Sequence, residues 1–293
     1  MTLTTPEPPA DVEAAFPEFV GQARATVRLH PRSGQPGPHD SSLGGPLLWP
    51  AGEPWPVCAS PDHEEIGEPV PTMVAVLQIF ARDVPELPFP EHTDVLQVLW
   101  CPGLHEDGSW PLPTARWRSA ASVPGPLLDA PAADPDAEEV NEEYVPEPCV
   151  LSPERVFDYP DGWELDEELR KRVTEWAGTK GWQYFFHLGA APGTKVGGWA
   201  DWIQDPWYPE CDECGKPMTH MLTIASWECD GESWRRWVPI EEFPLDRRRE
   251  DTPPAAFRHS KDAGLSLADA GSMYLMVCES CPDRPVKEVS QSS

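Results

Sequence analysis

The stretch Cys211-Asp212-Glu213-Cys214-Gly215-Lys216-Pro217-Met218 holds one Cys-x-x-Cys pair, and Cys278-Glu279-Ser280-Cys281 holds a second. In each pair, two intervening residues allow both sulfurs to turn toward one point, so that four thiolates can fill the tetrahedral shell of Zn²⁺. The two pairs lie much farther apart than those of a compact zinc ribbon. The sequence therefore predicts a structural zinc site that ties together the ends of a folded lobe. Its predicted ligands are Cys211, Cys214, Cys278 and Cys281.

The sequence leaves other states of these cysteines open. They could be buried free thiols or two reversible disulfides, and Cys229 or His220 could replace one metal ligand. If all four thiolates bind the metal, no coordination position remains for a water molecule. We therefore expect the site to stabilise the fold and not to catalyse a reaction.

The composition favours short strands and ordered loops. The 293 residues include 38 prolines, which break helix interiors, and 14 tryptophans and 9 phenylalanines, which supply the mass of a core. We expect an α+β fold that is predominantly β, built from two similar halves that form one compact unit. The oligomeric state is not defined by the sequence.

The chain is strongly acidic, with 50 acidic against 22 basic residues and a formal net charge of −28. Such a charge repels nucleic-acid phosphates, so we expect no nucleic-acid partner. It favours solubility, and it also suits a protein partner with a basic surface. No apolar run is long enough to span a membrane, and the first residues lack the pattern of a signal peptide. We therefore expect a cytoplasmic protein with reduced cysteines, which favours metal over disulfide.

Apolar patterns indicate several strands and one clear helix. The helix is predicted from Asp166 to Ala177, with Asp166 as its N-cap and a stripe formed by Leu165, Leu169, Val173 and Trp176. A short helix is expected after Asp11. The predicted strands are Ala23–Leu29, Met73–Phe80, Asp94–Cys101, Ala115–Arg118, Met218–Ile224 and Gly271–Cys278.

The second half of the chain echoes the first. Val196-Gly197-Gly198 resembles Leu43-Gly44-Gly45, and each is followed by a loop of Trp and Pro, a buried strand, a long excursion and another buried strand. This order predicts an internal duplication, with chance likeness as the alternative. The expected segments are a loose start at 1–22, a first half at 23–128, an acidic linker or excursion at 129–148, a second half at 149–282 and a flexible tail at 283–293.

Several motifs follow one another in a specific order along the chain: Ser42 to Gly45, Trp49-Pro50, Trp55-Pro56, Val76 to Ile79, Val95 to Val98, Gly197 to Gln204, Cys211 to Met218 and Asp269 to Tyr274. In these motifs and their order the chain resembles the YwqG-like family of uncharacterised bacterial proteins. The likeness spans about residues 25–282, and the chain departs from the family pattern at Trp199 and in its long acidic segment. The resemblance implies a compact, mainly β architecture and suggests a binding role near toxin and immunity systems.

No nucleophile elbow, Walker loop or zinc-protease signature is present in the sequence. Gly189 to Lys195 resembles a phosphate loop only faintly, because the order of Lys and Ser/Thr is wrong. His63 and His105 lie in acidic loops and are expected to be solvated. His187 follows an aromatic run and is expected to be a structural histidine.

The tryptophans suggest an aromatic cleft between the two halves, with simple packing of the indoles as the alternative. The candidate cleft residues are Trp49, Trp55, Gln78, Trp199, Trp202, Gln204 and Trp207. The sequence as a whole predicts a zinc-stabilised protein-binding module, immunity-like or regulatory in kind. The alternative is an enzyme that uses Gln78, Gln204 and nearby polar groups in this cleft.

Overall fold

The computed structural model describes residues 2–61, 63, 71–103, 105, 110–123, 125–129, 131, 140–243 and 257–293. These residues form two six-stranded sheets in which every neighbouring pair of strands is antiparallel. Helices are few and mostly short, so the prediction of a predominantly β fold is confirmed. Within the described residues, no helix has the length and apolar content needed to cross a membrane.

Sheet I has the strand order β2-β7-β3-β4-β5-β6. The predicted strands at Met73–Phe80 and Asp94–Cys101 are its central strands, β4 and β5, and the predicted strand at Ala115–Arg118 is part of the edge strand β6. The bounds are β2 Arg32–Ser33, β3 Ser42–Leu43, β4 Val74–Phe80, β5 Val95–Cys101, β6 Leu112–Arg118 and β7 Cys149–Val150.

Sheet II has the strand order β8-β1-β9-β10-β11-β12. Three of its strands, β1, β10 and β11, lie where the sequence predicts them. The bounds are β1 Arg24–Arg28, β8 Glu154–Asp158, β9 Lys195–Gly197, β10 Thr219–Ala225, β11 Ser272–Val277 and β12 Val286–Gln291.

Both sheets contain a hairpin with an irregularity at the same point. In sheet I, Ala75 pairs with Leu99 and Leu77 with Val98, so that Val76 is an extra residue in β4. In sheet II, His220 pairs with Met276 and Leu222 with Leu275, so that Met221 is an extra residue in β10. A bulge of this kind bends its strand and increases the local twist.

One hydrophobic core lies between the two sheets. It buries alternate residues of β5, namely Leu96, Val98 and Trp100, and alternate residues of β11, namely Met273, Leu275 and Val277. The residues between them point to the opposite face of each sheet, as the two-residue period of a strand requires. The space between the sheets is therefore filled by side chains.

The longest helix among the described residues, α2, covers Glu167–Thr179, and its N-cap Asp166 accepts a hydrogen bond from the N–H of Leu169. Its apolar stripe includes Leu169 and Val173, as the sequence predicts. The described part of the chain also contains three single-turn α-helices: α1 Val12–Ala15, α3 Tyr184–His187 and α4 Trp234–Trp237.

Two of the predicted segment descriptions are wrong. The start of the chain is not loose, because Val12, Phe16 and Phe19 are buried against α2. The tail is not flexible coil, because Val286–Gln291 is strand β12, paired along its length with β11.

The acidic linker or excursion expected at 129–148 stays a prediction. Its end does not stand apart from the fold, because Tyr144 is buried in the common core and its carbonyl accepts a hydrogen bond from Trp100 Nε1. Residues 130 and 132–139 of that segment lie outside the described residues. Tyr144 is the one aromatic residue in the sequence of 129–148, and the acidic composition gave no sign that it is buried.

The boundary between two halves also differs from the prediction. Strand β1 comes from the first half of the chain but lies in sheet II between β8 and β9, and β7 comes after the acidic segment but lies in sheet I between β2 and β3. Each sheet therefore contains one strand that comes from the other predicted half of the chain, namely β7 in sheet I and β1 in sheet II.

Candidate metal centre and candidate binding pocket

The fold brings the four predicted ligand cysteines together. The sulfurs of Cys211, Cys214, Cys278 and Cys281 all lie within 4.8 Å of one another. Cys211 Sγ is 3.9 Å from Cys281 Sγ, and Cys214 Sγ is 3.5 Å from Cys278 Sγ. These distances are too long for a disulfide, whose sulfurs are about 2.05 Å apart. They match the edge of about 3.8 Å of a tetrahedron with metal–sulfur bonds of about 2.3 Å.

Local backbone structure explains this geometry. The Cys211 N–H donates to the Lys216 carbonyl, and the Gly215 N–H donates to the Cys211 carbonyl, which closes a tight turn around the first pair. Gly215 has a φ of +70°, a conformation that residues with a Cβ rarely adopt. The second pair follows β11 directly, so the hairpin of β10 and β11 places both pairs at one end of sheet II.

The four cysteines differ in their electrostatic surroundings: burial and hydrogen bonds to the neighbouring sulfurs raise the pKa of Cys281, whereas hydrogen bonds favour a negative sulfur at Cys278. Burial alone would raise the pKa of the Cys278 thiol, but hydrogen bonds from Cys214 and from the N–H groups of Ser280 and Cys281 lower it to about 7. Thiolate is the form of cysteine that binds metals. The described surroundings on this outer face of sheet II are apolar and include Trp202, Met218, Tyr274 and Met276.

Neither alternative ligand joins this group. His220 Nε2 is 2.8 Å from Thr223 Oγ1, inside sheet II. Cys229 packs in a different cluster beside Trp234, and its N–H donates to Ser260 Oγ. The structure therefore assembles the set Cys211, Cys214, Cys278 and Cys281.

A second group of metal-ligand side chains lies at the end of sheet I. The ligand atoms of Cys58, His63, Cys101 and His105 also lie within 4.8 Å of one another. The expectation that His63 and His105 are solvated is wrong, because His63 is fully buried and His105 is only partly exposed. Their acidic sequence neighbours indicate exposure, whereas the fold brings both rings beside Cys101, the last residue of β5.

The predicted aromatic cleft residues lie in two groups on different sheets. Trp49 and Trp55 pack against each other on the outer face of sheet I, with ring centroids 5.0 Å apart. Trp202 packs on Tyr274 on the outer face of sheet II. Trp199 lines a separate cavity of about 570 Å³. Since the common core separates the two sheets, these residues do not line one cleft between the halves.

The remaining cleft candidates are also placed differently from the prediction. Gln78 is fully buried, and both of its amide hydrogens are used, on the Pro38 and Asp40 carbonyls. Its oxygen accepts from the Leu48 N–H and from Gln97. Gln204 is exposed and donates to the Ser292 carbonyl, and Trp207 is 60% exposed. Gln78 is thus a structural residue that has no group left for a substrate.

A pocket lined by many aromatic side chains lies between α2, α3 and the loop after β9. Its volume is about 560 Å³. No pattern in the sequence predicted this pocket. Helices α2 and α3 supply part of the wall, and the loop that follows β9 supplies Asp201 and Trp202. Its aromatic lining consists of Trp163, Trp182, Tyr184, Phe185, Phe186 and Trp202.

Three carboxyl groups line this pocket, and no Lys, Arg or His is among its described lining residues. Burial raises the pKa of Asp161 to about 7, against the N–H of Trp163, which lowers it. The pKa of Asp201 is also raised, first by burial and next by the charge of Asp161. Asp230 is the third and is exposed. The chain contains 50 acidic residues, so the sequence alone does not single out these three.

Positive groups lie near the pocket but are not among its described lining residues. Lys195 is fully buried, bonded to Asp158 at 3.1 Å, and it lowers the pKa of both Asp161 and Asp201. Because Lys195 is buried and bonded to Asp158, it is not available to bind a phosphate as the lysine of a phosphate-binding loop would. Arg170 and Arg235 stack on the rings of Trp163 and Trp182, at 5.3 and 4.4 Å from the centroids.

His187 is structural, as expected. The Gln183 N–H donates to its Nδ1 at 2.9 Å, and its Nε2 lies 2.9 Å from the Glu232 carbonyl. Burial lowers the pKa of His187 to about 4, so the ring is neutral at physiological pH.

Comparison with protein-family models and with curated proteins finds no match for this chain.

Proposed function

We propose that this protein is a metal-stabilised binding protein whose pocket between α2 and α3 takes a cationic group of a protein partner. The single observation that carries the proposal is the lining of that pocket. It combines six aromatic side chains with three carboxyl groups and has no basic side chain among its described lining residues. Aromatic faces attract cations through the ring quadrupole, and carboxylates attract them directly.

The shape of the pocket suits a side chain rather than a whole folded surface. Trp163 is 40% exposed at its opening, whereas Asp161 is almost fully buried within it. A lysine or arginine side chain can place its apolar stem along the rings and its charge beside the carboxyls. The excess of acidic residues over the whole chain would steer such a basic partner toward the protein.

The direct test is calorimetric binding of Nα-acetyl-lysine amide, which keeps the charged ε-ammonium group. It is compared with Nα-acetyl-norleucine amide, which has a similar stem and no charge. The proposal predicts measurable affinity for the lysine probe only. The double variant Asp161→Asn/Asp201→Asn is expected to abolish it. Glu279→Gln is the matched control, because it removes a charge from the separate cavity beside Trp199. Equal affinity for both probes, or none for either, would contradict the proposal.

We propose Zn²⁺ as the ion held by Cys211, Cys214, Cys278 and Cys281. The support is the donor set of four sulfurs and their spacing of 3.5 and 3.9 Å across the group. Four protein ligands leave no open position, so the role assigned to the metal is structural. Elemental analysis of protein purified without chelator tests the identity of the ion.

We propose further that the chain is an internal duplication, as the echo between the two halves of its sequence predicts. The support is the matching order of the two sheets, read as β2-β7-β3-β4-β5-β6 and β8-β1-β9-β10-β11-β12. The bulges after Ala75 and after His220 fall at the same point of each central hairpin. Gly44, which follows β3, and Gly197, the last residue of β9, both have positive φ, at +65° and +68°.

An enzyme is the second candidate, and the observation that favours it is the pKa of Asp161, at about 7. A carboxyl group with such a pKa can exchange a proton near neutral pH, as a general acid or base must. An enzyme would accept an uncharged substrate and would lose turnover, but not binding, in Asp161→Asn. A binder of cations would lose the binding itself.

A further inference from the structure

We infer that the chain holds a second structural metal ion, bound by Cys58, His63, Cys101 and His105 at the end of sheet I. Neither the Cys-x-x-Cys pairs nor the proposed binding function requires it. Two sulfurs and two imidazole nitrogens form a donor set that Zn²⁺ takes in structural sites.

The distances between the donor atoms are those of a tetrahedron around one ion. Cys58 Sγ lies 3.4 Å from His105 Nε2, and Cys101 Sγ lies 3.5 Å from His63 Nε2. The two Nε2 atoms are 3.3 Å apart. With zinc bonds of about 2.3 Å to sulfur and about 2.05 Å to nitrogen, the tetrahedral edges are about 3.6 Å for S–N and about 3.3 Å for N–N.

Hydrogen bonds among the four side chains explain these contacts less well than a bound ion does. A ring nitrogen has either one hydrogen or one lone pair, and both point outward in the ring plane. His63 Nε2, however, has two close neighbours, Cys101 Sγ and His105 Nε2, and His105 Nε2 also has two. A single ion among the four atoms satisfies all of these contacts with one bond from each ligand.

The two metal groups share their backbone environment. The N–H of Ser60 donates to Cys58 Sγ at 3.5 Å, and the N–H of Gly103 donates to Cys101 Sγ at 3.4 Å. In the four-cysteine group, the N–H of Lys216 is bonded to Cys214 and that of Ser280 to Cys278. In each case the donor is two residues after the cysteine. Such N–H groups stabilise thiolate.

The tightness of packing around the second group is visible at Gly103. A Cβ on this residue would lie 3.1 Å from His63 Cε1 and 3.4 Å from Cys101 Sγ. Cys58, His63 and Cys101 are buried, so the ion is shielded from water on most sides. The site ties the chain segment before β4 to the loop after β5, as the four-cysteine site does for β10 and β11.

The test starts from the intact protein, purified without chelator and measured by plasma mass spectrometry. Two zinc ions per chain are expected, and X-ray absorption should give an average of three sulfur ligands and one nitrogen ligand per zinc. One zinc per chain with sulfur ligands only would overturn the inference, whether or not any variant folds.

Variants then assign each ion to its group. Cys58→Ser/His105→Ala is expected to retain one zinc with four sulfur ligands. Cys278→Ser/Cys281→Ser is expected to retain one zinc with two sulfur and two nitrogen ligands. Cys149→Ser is the control, because Cys149 is a buried cysteine outside both groups and its loss should leave two ions. A Cys58→Ser/His105→Ala protein that still binds two zinc ions would contradict the assignment.

Discussion

Cys101 and Cys278 occupy the same position in two similar hairpins. Cys101 follows Trp100, the residue of β5 that pairs with the first residue of β4, Val74. Cys278 follows Val277, the residue of β11 that pairs with the first residue of β10, Thr219. Each cysteine belongs to a group of four metal-ligand side chains at its end of a sheet. This relationship connects the two candidate metal sites to the architecture of the whole chain.

Loss of the metal at the four-cysteine group should weaken the fold substantially. We expect Cys278→Ser to lower the free energy of unfolding by about 3–5 kcal/mol, since metal loss is among the largest single-residue effects. Chelator should lower the melting temperature of the wild type and have a smaller effect on the variant. Lys216 is exposed and follows the first Cys-x-x-Cys pair, so Lys216→Ala should change the free energy of unfolding by less than about 0.5 kcal/mol. A fully stable Cys278→Ser protein would exclude a structural role for this site.

The buried ion pair of sheet II should be sensitive to the loss of one partner. Lys195 donates to Asp158 Oδ2 and to the Trp199 carbonyl, and both charged side chains are inaccessible to water. Lys195→Met leaves the Asp158 carboxylate buried without its counter-ion, so we expect a loss of about 3–5 kcal/mol in chemical denaturation. Adding Asp158→Asn should restore part of it. Lys171→Met, on the exposed face of α2, is the matched control and should be nearly neutral.

The turn after β3 should tolerate no side chain. Gly44 has a φ of +65°, and a Cβ there would lie 2.5 Å from the Glu147 carbonyl oxygen and 2.6 Å from that of Pro146. We expect Gly44→Ala to cost at least about 2–4 kcal/mol, because the backbone strain adds to a clash with main-chain atoms that cannot rotate away. Gly52→Ala has open space and should be neutral or stabilising by up to about 1 kcal/mol in the same unfolding assay.

The carboxyl of Asp161 should make stability depend on pH in a defined direction. Its folded pKa of about 7 lies above the ordinary value of about 3.9, so the folded state holds a proton that the unfolded state releases. Its contribution to stability is full below about pH 4 and is lost as pH rises toward 7. Asp161→Asn should therefore match the wild type near pH 4 and exceed it by up to about 4 kcal/mol near pH 8.

Unfolding curves at both pH values measure this difference. Asn can still accept the hydrogen bond from the Trp163 N–H, so the local turn should survive. Asp205→Asn, an exposed side chain, is the control, with an expected change below about 0.5 kcal/mol at either pH. A variant that is equally displaced from wild type at pH 4 and pH 8 would show that the carboxyl does not titrate in this range.

Binding of a cation in the same pocket should follow the opposite trend with pH. Raising the pH from 6 to 8 ionises most of the Asp161 carboxyl, so we expect the affinity for N-acetyl-lysine amide to rise roughly tenfold. Titration calorimetry in buffers of equal ionic strength measures the change. An affinity that falls or stays constant over this range would count against a role of Asp161 in cation binding.

The amino-acid sequence by itself determined several local elements and one of the two candidate metal groups. Strands β4 and β5 were predictable because both are continuous apolar runs, and α2 because its apolar stripe and the cap at Asp166 agree. The four-cysteine group was predictable because Cys-x-x-Cys is a local pattern whose geometry depends on few residues. Predominantly β structure followed from the many prolines and bulky aromatic residues.

Only the tertiary structure decided which distant residues meet. The group Cys58, His63, Cys101 and His105 has irregular local spacings, and its members come together because the pairing of β4 with β5 closes one end of sheet I. Strand β1 reads as part of the first half, but its hydrogen-bonding partners are β8 and β9. Asp161 and Asp201 stand out from the other acids only through burial in the same pocket. Pairing, burial and proximity depend on long-range contacts, and a local pattern of residue types contains no information on them.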